Sequence, residues 1–260
     1  MTPEEFRSRY GPIALVTGAS SGIGLAIAEE LAERGLDLVL TARRTDRLDA
    51  LAQRLHSSHG TRTRVLGADL ADPDAPARIL AQTQDEDVGL VVSNAGFNIK
   101  GAFETKDASA MAKMLTVNCH APMQLAHGFL PRLKARGRGG LLFTASVEGL
   151  IGCPYSTAYS ASKALVVSLG EGLWGETQGT GVDVLTLCPG ATETEATEGM
   201  DGLKNLQAAH EVARLALDNL TQGPTFIPNA HYREMFGRLT AMPRREALTA
   251  MAQSMRNLPG

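Results

Sequence analysis

The chain has 260 residues, 43% hydrophobic and 20% charged, the balance of an ordinary soluble globule rather than a disordered or fibrous chain. Its 25 basic and 28 acidic residues leave a net charge of −3, so no basic field points to nucleic acid or to an anionic membrane. No apolar run reaches the roughly 18 residues of a membrane span. The charged N-terminus, MTPEEFRSRYG, lacks the apolar segment of a signal peptide. Cys119, Cys153 and Cys188 show no CxxC spacing, and free thiols in a reducing cytoplasm are expected.

In chain order, short β-branched or Leu-rich runs predict strands at 13–17, 37–41, 64–68, 88–92, 140–145, 182–187 and 224–228. These runs show no strict alternation, which predicts strands buried on both faces, as in a parallel sheet. Apolar spacing at i, i+3, i+4 predicts helices at 23–34, 45–55, 108–131, 157–178 and 207–220. Alternation of this kind argues for one open, doubly wound α/β domain with right-handed crossovers, its core at about 10–228. The remaining residues, 230–260, carry apolar positions such as Met235, Phe236, Leu239, Leu248 and Met251, which suit one or two amphipathic helices packed on the domain or on a neighbouring subunit.

The first strand runs straight into TGASSGIG, residues 17–24, at the head of a helix. Gly18, Gly22 and Gly24 let the backbone turn sharply, and the helix N-terminus beyond offers unpaired N–H groups to a pyrophosphate. A lone glycine cluster could be a flexible turn; its place between first strand and first helix points to a dinucleotide, held by Gly18, Ser20, Ser21, Gly22, Ile23 and Gly24. The second strand ends Thr41-Ala42-Arg43-Arg44, with no acid until Asp46 to accept a ribose 2′-hydroxyl. Arg43 and Arg44 could be solvated loop charges, but in that position guanidinium groups suit a 2′-phosphate, hence NADP(H).

Further along stand ADL (68–70), SNAG (93–96), Asn118 within TVNCHAP, Ser146, YSASK (159–163) and CPGATET (188–194). Together with TGASSGIG they resemble, in order, the motifs of the short-chain dehydrogenases/reductases over roughly residues 10–228. That resemblance implies a Rossmann-like seven-stranded parallel sheet flanked by helices. It also implies coenzyme contacts from Asp69, Leu70, Asn94, Ala95, Gly96, Tyr159, Lys163, Pro189, Gly190, Thr192 and Thr194. Two departures are mild: Ser93 stands where the family usually has the first Asn of NNAG, and TAS (144–146) replaces the commoner SS pair.

Tyr159 and Lys163 lie four apart on a predicted helix, so they share a face one turn apart. Alone, such a pair is ordinarily a surface contact; beside the other motifs, it implies hydride-transfer chemistry. Tyr159 would exchange a proton with the substrate oxygen, Ser146 would hydrogen-bond that oxygen, and Lys163 would lower the phenol pKa. Asn118 would hold a water linking Lys163 to solvent. Val147, Glu148, Leu150, Cys153 and Tyr155 follow Ser146 and are expected to wall the substrate pocket with Ser146 itself, mostly apolar, with Glu148 as the polar exception. The acidic segment after Gly190, ATETEATEGMDGLKN, is expected to form a mobile lid. The six histidines show no metal-ligand spacing, so no metal is expected. The cysteines near the pocket are read as packing residues.

The expected function is an NADP(H)-dependent carbonyl reductase or alcohol dehydrogenase acting on a bulky or apolar small molecule. A 3-oxoacyl-thioester reductase is the alternative within the family, and a non-catalytic NADP-binding sensor the alternative outside it. A homodimer or homotetramer, joined through helices that include 108–131 and 157–178, is what the resemblance implies for assembly.

Overall fold

A computed structural model of the chain describes residues 1–195, 197–199 and 205–256, with only the backbone of Arg256. Six principal strands are β1 (Ile13–Thr17), β2 (Asp37–Ala42), β3 (Thr63–Gly67), β4 (Val88–Ser93), β5 (Gly139–Thr144) and β6 (Val182–Leu187). Two further two-residue strands, β7 (Thr192–Glu193) and β8 (Gln207–Ala208), pair with each other. The last strand, β9 (Thr225–Phe226), closes the main sheet, which runs in the order β3-β2-β1-β4-β5-β6-β9 with every pairing parallel. The seven-stranded parallel sheet and its flanking helices are those expected.

Side chains on each strand alternate between two cores, one on either face of the sheet. Leu15, Val39, Val91, Leu141, Phe143 and Val184 point into one; Ala14, Val16, Leu38, Leu40, Leu90, Val92, Leu142, Leu185 and Leu187 point into the other. Burial on both faces is why these strands read as continuous apolar runs. The second core is covered by α1 (Pro3–Tyr10), α2 (Gly22–Glu33), α3 (Thr45–His59) and, after the sixth strand, a helix at Ala209–Asp218. The first is covered by α4 (Ala75–Gln82), α6 (Ala121–Arg136) and α7 (Thr157–Glu176), with α5 (Ala108–Leu115) leading into α6. With the Ala209–Asp218 helix as α8, the C-terminal segment folds into α9 (Ala230–Ala241) and α10 (Arg244–Arg256). Their Phe236, Leu239, Ala247 and Met251 join the first core, so the tail packs on the domain.

Several elements depart from the sequence expectation. The helix expected at 108–131 is longer and is interrupted: α5 and α6 are joined by a π-bulge at Thr116–His120, whose middle residue is Asn118. A single widened turn inside a helix is a frequent mark of a functional site. No helix was expected before β1 or between β3 and β4, where α1 and α4 lie. The expected strand 224–228 shrinks to two residues, because Pro224 and Pro228 flank it and cannot donate to a ladder. The 207–220 helix starts later, its first two residues being β8.

Helix α1 begins at a capping box, with Glu5 N donating to Thr2 Oγ1 (3.2 Å) and Thr2 N donating to Glu5 Oε2 (2.7 Å). It closes the amino edge of the sheet, opposite the strand ends that carry the motifs. Fully buried Tyr10 donates its hydroxyl to Asp183 Oδ2 (2.7 Å), and Arg9 grips the same carboxylate through two nitrogens. Replacing Tyr10 by Phe keeps the packing volume but removes one charge-assisted bond. Tyr10→Phe is expected to lower stability by about 1–2 kcal/mol in urea unfolding; a change below about 0.3 kcal/mol would show that Arg9 alone satisfies Asp183.

Candidate active site

The carboxyl ends of the parallel strands gather every motif read from the sequence. At the end of β1 the chain turns through Gly18 (φ +68°) and Gly22 (φ +55°), a backbone region that L side chains rarely adopt. A Cβ on Gly24 would lie 2.3 Å from Gly18 O and 2.4 Å from Asn94 Nδ2, so only glycine lets the first turn of α2 sit against this loop. Ser21 occupies the N-cap of α2 but makes no capping bond. The first turn thus keeps its N–H groups and its positive dipole end for an anionic ligand. Ile23 is half-buried in that turn.

Thr17 ties this loop to the end of β4. Its Oγ1 accepts from Asn94 N (2.9 Å) and Ala95 N (3.0 Å), and its carbonyl accepts from Asn94 Nδ2 (3.2 Å). β1 and β4 are the neighbours at which the strand order reverses, the place where open α/β sheets bind ligands. Asp69 lies exposed beyond β3, with Oδ1 accepting from Ala71 N (3.0 Å), and Leu70 beside it is buried.

Arg44 is the basic residue that reaches the glycine loop. Its Nη2 donates to Ser21 Oγ (2.8 Å) and Ser20 Oγ (3.3 Å), while its Nη1 bonds Glu195 Oε2 (3.0 Å). Arg47, which the sequence reading did not single out, pairs with the other oxygen of Glu195. Arg43, expected to share the role, is exposed and makes no hydrogen bond among the described residues. Two guanidinium groups therefore converge on one carboxylate, with two serine hydroxyls steadying Arg44: this corner is already arranged to hold an anion. Arg47 was signalled only by its position, one helical turn after Arg43.

On the other side of the opening, Tyr159 and Lys163 lie on α7, with the Lys163 Nζ 5.7 Å from the centroid of the Tyr159 ring. Buried Lys163 donates to Thr144 O (2.7 Å) at the end of β5. Ser146 Oγ accepts from Glu148 N (3.1 Å), which leaves the serine's own hydrogen for another acceptor. Asn118 spends its whole amide on bracing: Oδ1 accepts from Phe97 N (3.1 Å), and Nδ2 donates to Phe97 O (2.9 Å) and Ser162 Oγ (3.0 Å). Ser162 Oγ in turn donates to Tyr159 O (2.7 Å), so α5–α6, the strand β4 extension and α7 are locked together around the phenol. A Cβ on Gly96 would come within 3.1 Å of Asn118 Oδ1 and 3.3 Å of Lys163 Nζ, so this position, too, needs glycine.

The electrostatics depart from one expectation. Lys163 was expected to lower the Tyr159 pKa; instead the phenol is raised well above its ordinary value, chiefly by burial and next by the Glu148 charge. The Ser146 hydroxyl pulls the other way, more weakly. Burial also brings Lys163 down to about 8. A phenol held protonated suits a proton donor, and the lysine beside it remains mostly cationic at neutral pH.

The substrate side is built by the loop after Ser146 and by a residue that the sequence reading missed. Val147 and Cys153 are buried in the first core, while Glu148, Leu150 and Tyr155 are only half-buried. Tyr155 adopts φ +63°, and its carbonyl accepts from Gly101 N (2.8 Å) and Lys106 Nζ (3.4 Å), which clamps the 97–106 segment over the loop. Pro189 O accepts from Val147 N (3.1 Å). Any Cβ on Gly190 would collide with the Tyr232 ring at 2.1 Å, so α9 supplies an aromatic wall. No local pattern could have shown that the tail folds back to this point. Thr192 Oγ1 donates to Gly190 O (3.1 Å), and the Thr194 methyl lies over Gly22. Of the acidic segment expected as a lid, Ala196 and residues 200–204 lie outside the described residues, as do 257–260 of the tail. Burial pushes Cys153 and Cys188 up to about 12, which makes them inert thiols at neutral pH.

A Rossmann-like parallel sheet with a glycine-rich turn after β1 and Ser146, Tyr159 and Lys163 brought together at its carboxyl edge is the arrangement of a dinucleotide-dependent oxidoreductase class. The family model for short chain dehydrogenase matches residues 12–202, and the chain belongs to that family, whose members act on CH–OH and C=O groups. A 7beta-hydroxysteroid dehydrogenase from Clostridium sardiniense is 36% identical over 189 residues, covering 73% of this chain and 72% of that protein. Among solved structures, one of a 7beta-hydroxysteroid dehydrogenase studied for its stereoselectivity superposes with a TM-score of 0.88 at 25% identity, covering 95% of this chain and 99% of the other. A short-chain dehydrogenase from Sphingobium yanoikuyae in complex with NADPH gives a TM-score of 0.82 at 34% identity, covering 92% and 96%. No helix among the described residues is long and apolar enough to cross a membrane.

The buried amine yields a test on the protein without ligand. Lys163 loses its proton at a lower pH in the folded chain than its ordinary 10.5, so folding is penalised while the amine is charged and the penalty is lifted between about pH 8 and 10.5. Lys163→Met is therefore expected to be more stable than the wild type by about 1–3 kcal/mol at pH 7, with the gap shrinking towards pH 10. Urea unfolding at both pH values checks this; a variant less stable at pH 7 would contradict it.

Proposed function

We propose that the chain is an NADP(H)-dependent carbonyl reductase, equally a secondary-alcohol dehydrogenase, of a bulky and largely apolar small molecule. One observation carries the reading: the uncapped glycine cradle, the Arg44 corner and the Ser146–Tyr159–Lys163 cluster open onto the same carboxyl edge of the sheet. NADPH, when bound, supplies the hydride. Gly18, Gly22 and the first turn of α2 would hold its pyrophosphate, and Arg44 with Arg47, Ser20 and Ser21 its 2′-phosphate, in the corner now taken by the Glu195 carboxylate. Asp69, Leu70, Asn94, Ala95, Gly96, Pro189, Gly190, Thr192 and Thr194 would line the rest of the coenzyme site.

In reduction, Ser146 donates its free hydroxyl hydrogen to the substrate oxygen, and Tyr159 gives its proton to the alkoxide as it develops. Burial and Glu148 keep the phenol protonated until then. Lys163 provides a fixed positive charge beneath the ring and stabilises the tyrosinate formed by proton loss. Because both Asn118 amide N–H groups are committed and its Oδ1 already accepts from Phe97 N, its part in re-protonation falls to its main-chain carbonyl, which would hold the water that reaches Lys163. Oxidation of the alcohol runs the same steps backwards.

The substrate class follows from the walls. Leu150, Tyr155 and Tyr232 present apolar surface, which suits a bulky ketone, and the hydroxysteroid dehydrogenase relatives make an oxosteroid the first compound to try. The three buried thiols fit a cytoplasmic setting. Exposed Leu115 and Leu165, on the helices α5 and α7, mark the face through which a homodimer or homotetramer would form; light scattering is expected to give two or four chains, and a single chain would refute that assembly.

The deciding kinetic experiment follows NADPH and NADH consumption with a 7-oxosteroid, a bulky aryl ketone and a 3-oxoacyl thioester. The wild type is expected to reduce a ketone with NADPH, and Tyr159→Phe to lose at least about a thousandfold in kcat while still binding NADPH. Arg44→Ala is expected to raise the NADPH KM about tenfold or more and to leave NADH nearly unchanged. Turnover of the thioester alone would replace the ketone reading. NADPH binding without turnover of any carbonyl would mark the chain as a non-catalytic binder, and an unaltered coenzyme ratio would remove the 2′-phosphate assignment.

A further inference from the structure

Glu148 stands out in the site because the chemistry above uses only its charge beside Tyr159 and leaves the hydrogen-bonding capacity of its carboxyl unassigned. Its backbone N–H is spent on Ser146 Oγ (3.1 Å), which fixes the residue two positions from the serine that would meet the substrate oxygen. Its carboxyl oxygen Oε2 is buried and has no hydrogen-bond partner. Ser156 Oγ, also buried, faces this carboxyl and favours its ionised form, yet neither atom completes a well-formed hydrogen bond. A buried polar atom left unsatisfied costs about 1–3 kcal/mol, so this imperfectly paired carboxyl and hydroxyl, beside the residues expected to wall the substrate pocket, call for an explanation.

The groups that face this carboxyl come from every element packed around it. Lys100 and Lys106 approach from the segment after β4, Ser156 from the N-cap of α7, Cys153 from the loop, Tyr159 from α7 and Tyr232 from α9. The two lysines and the serine hydroxyl favour the carboxylate, but burial outweighs them and raises the Glu148 pKa. A carboxyl so placed can donate when protonated and accept when ionised, so it can bind a hydroxyl group in either state. The rest of the wall, Leu150 and the rings of Tyr155 and Tyr232, is largely apolar.

We propose that Glu148, with Ser156, is a specificity-determining anchor for a hydroxyl group carried by the substrate close to the reacting carbonyl. The substrate class is then a bulky hydroxy-ketone, or the diol formed from it, rather than a plain ketone. The hydroxyl lies near the carbonyl because Glu148 follows Ser146 by two residues and its charge reaches the Tyr159 phenol. The proposal rests on the carbonyl-reductase reading and narrows it. A site built to hydrogen-bond a hydroxyl discriminates strongly against the analogue that lacks it, since the polar groups of the site are then stranded.

Benzoin and deoxybenzoin test this, two bulky ketones that differ only in a hydroxyl beside the carbonyl. The NADPH-loaded wild type is expected to favour benzoin in kcat/KM by about tenfold or more, mostly through KM. Glu148→Leu should lose about tenfold more on benzoin than on deoxybenzoin, with the difference appearing in KM, and Glu148→Gln, which can still donate and accept, should fall in between. No preference in the wild type, or equal losses on both ketones in Glu148→Leu, would overturn the assignment. Should Glu148→Leu fail to fold, the Glu148→Gln comparison decides by the same criterion. If the wild type reduces neither ketone, calorimetric binding of the two to the NADPH-loaded protein separates the claims. Benzoin bound selectively by the wild type and not by the variants upholds the anchor and sinks the reductase reading, whereas binding without selectivity, or none at all, overturns the anchor.

Discussion

The hydroxyl of Thr17 holds together the place on which everything else depends. It accepts two backbone N–H groups from the end of β4, at Asn94 and Ala95, while the Thr17 carbonyl accepts the Asn94 amide. These bonds join the two strands from which the chain departs in opposite directions, so the loops after β1 and β4 must spread apart at that point. The glycine cradle sits on one side of the opening and the Gly96–Phe97 segment on the other. From there Asn118 passes the alignment on through Phe97 and Ser162 to Tyr159. Tyr159 is therefore tied, through hydrogen bonds and the short segment between Ala95 and Phe97, to the two strands at which the order of the sheet reverses.

That alignment has an energetic consequence. Lys163 is buried with its ammonium on a backbone carbonyl, Tyr159 is pushed towards its protonated form, and Glu148, whose charge acts on Tyr159, has an unsatisfied oxygen. Each is unfavourable for the folded chain by itself, since charged and polar groups lose solvation there. The protein offsets this with two apolar cores and with the capped, ion-paired α1 at the far edge of the sheet. The stabilising ion pairs of α1 lie at the amino ends of the strands and the candidate site at their carboxyl ends.

The sheet was legible because strands buried on both faces leave continuous apolar runs, and because a motif placed between a strand and a helix fixes both. The site was legible where residues act through local geometry: Gly18 and Gly24 by their turn, Tyr159 and Lys163 by one helical turn. What escaped depends on contacts between distant segments. Tyr232 gives no local sign that it meets Gly190, Glu195 none that it bridges Arg44 and Arg47, and Arg43 looked as suitable as Arg44 until the fold gave Arg44 the serines. The direction of the Tyr159 shift was misjudged for the same reason: the sequence displays the neighbouring lysine, while burial and the Glu148 carboxyl belong to the folded site. Helix α1 escaped because it is short and mostly polar, with only Phe6 and Tyr10 turned inward.

The central claim is that this opening aligns a dinucleotide hydride with an oxygen held by Ser146 and Tyr159. Reduction of a bulky ketone by NADPH carrying deuterium at the nicotinamide C4 tests it most directly. The account predicts that deuterium from one face of the ring appears on the carbinol carbon of a single alcohol stereoisomer, while deuterated water labels only the exchangeable hydroxyl. Label lost to water, or a racemic alcohol, would contradict it.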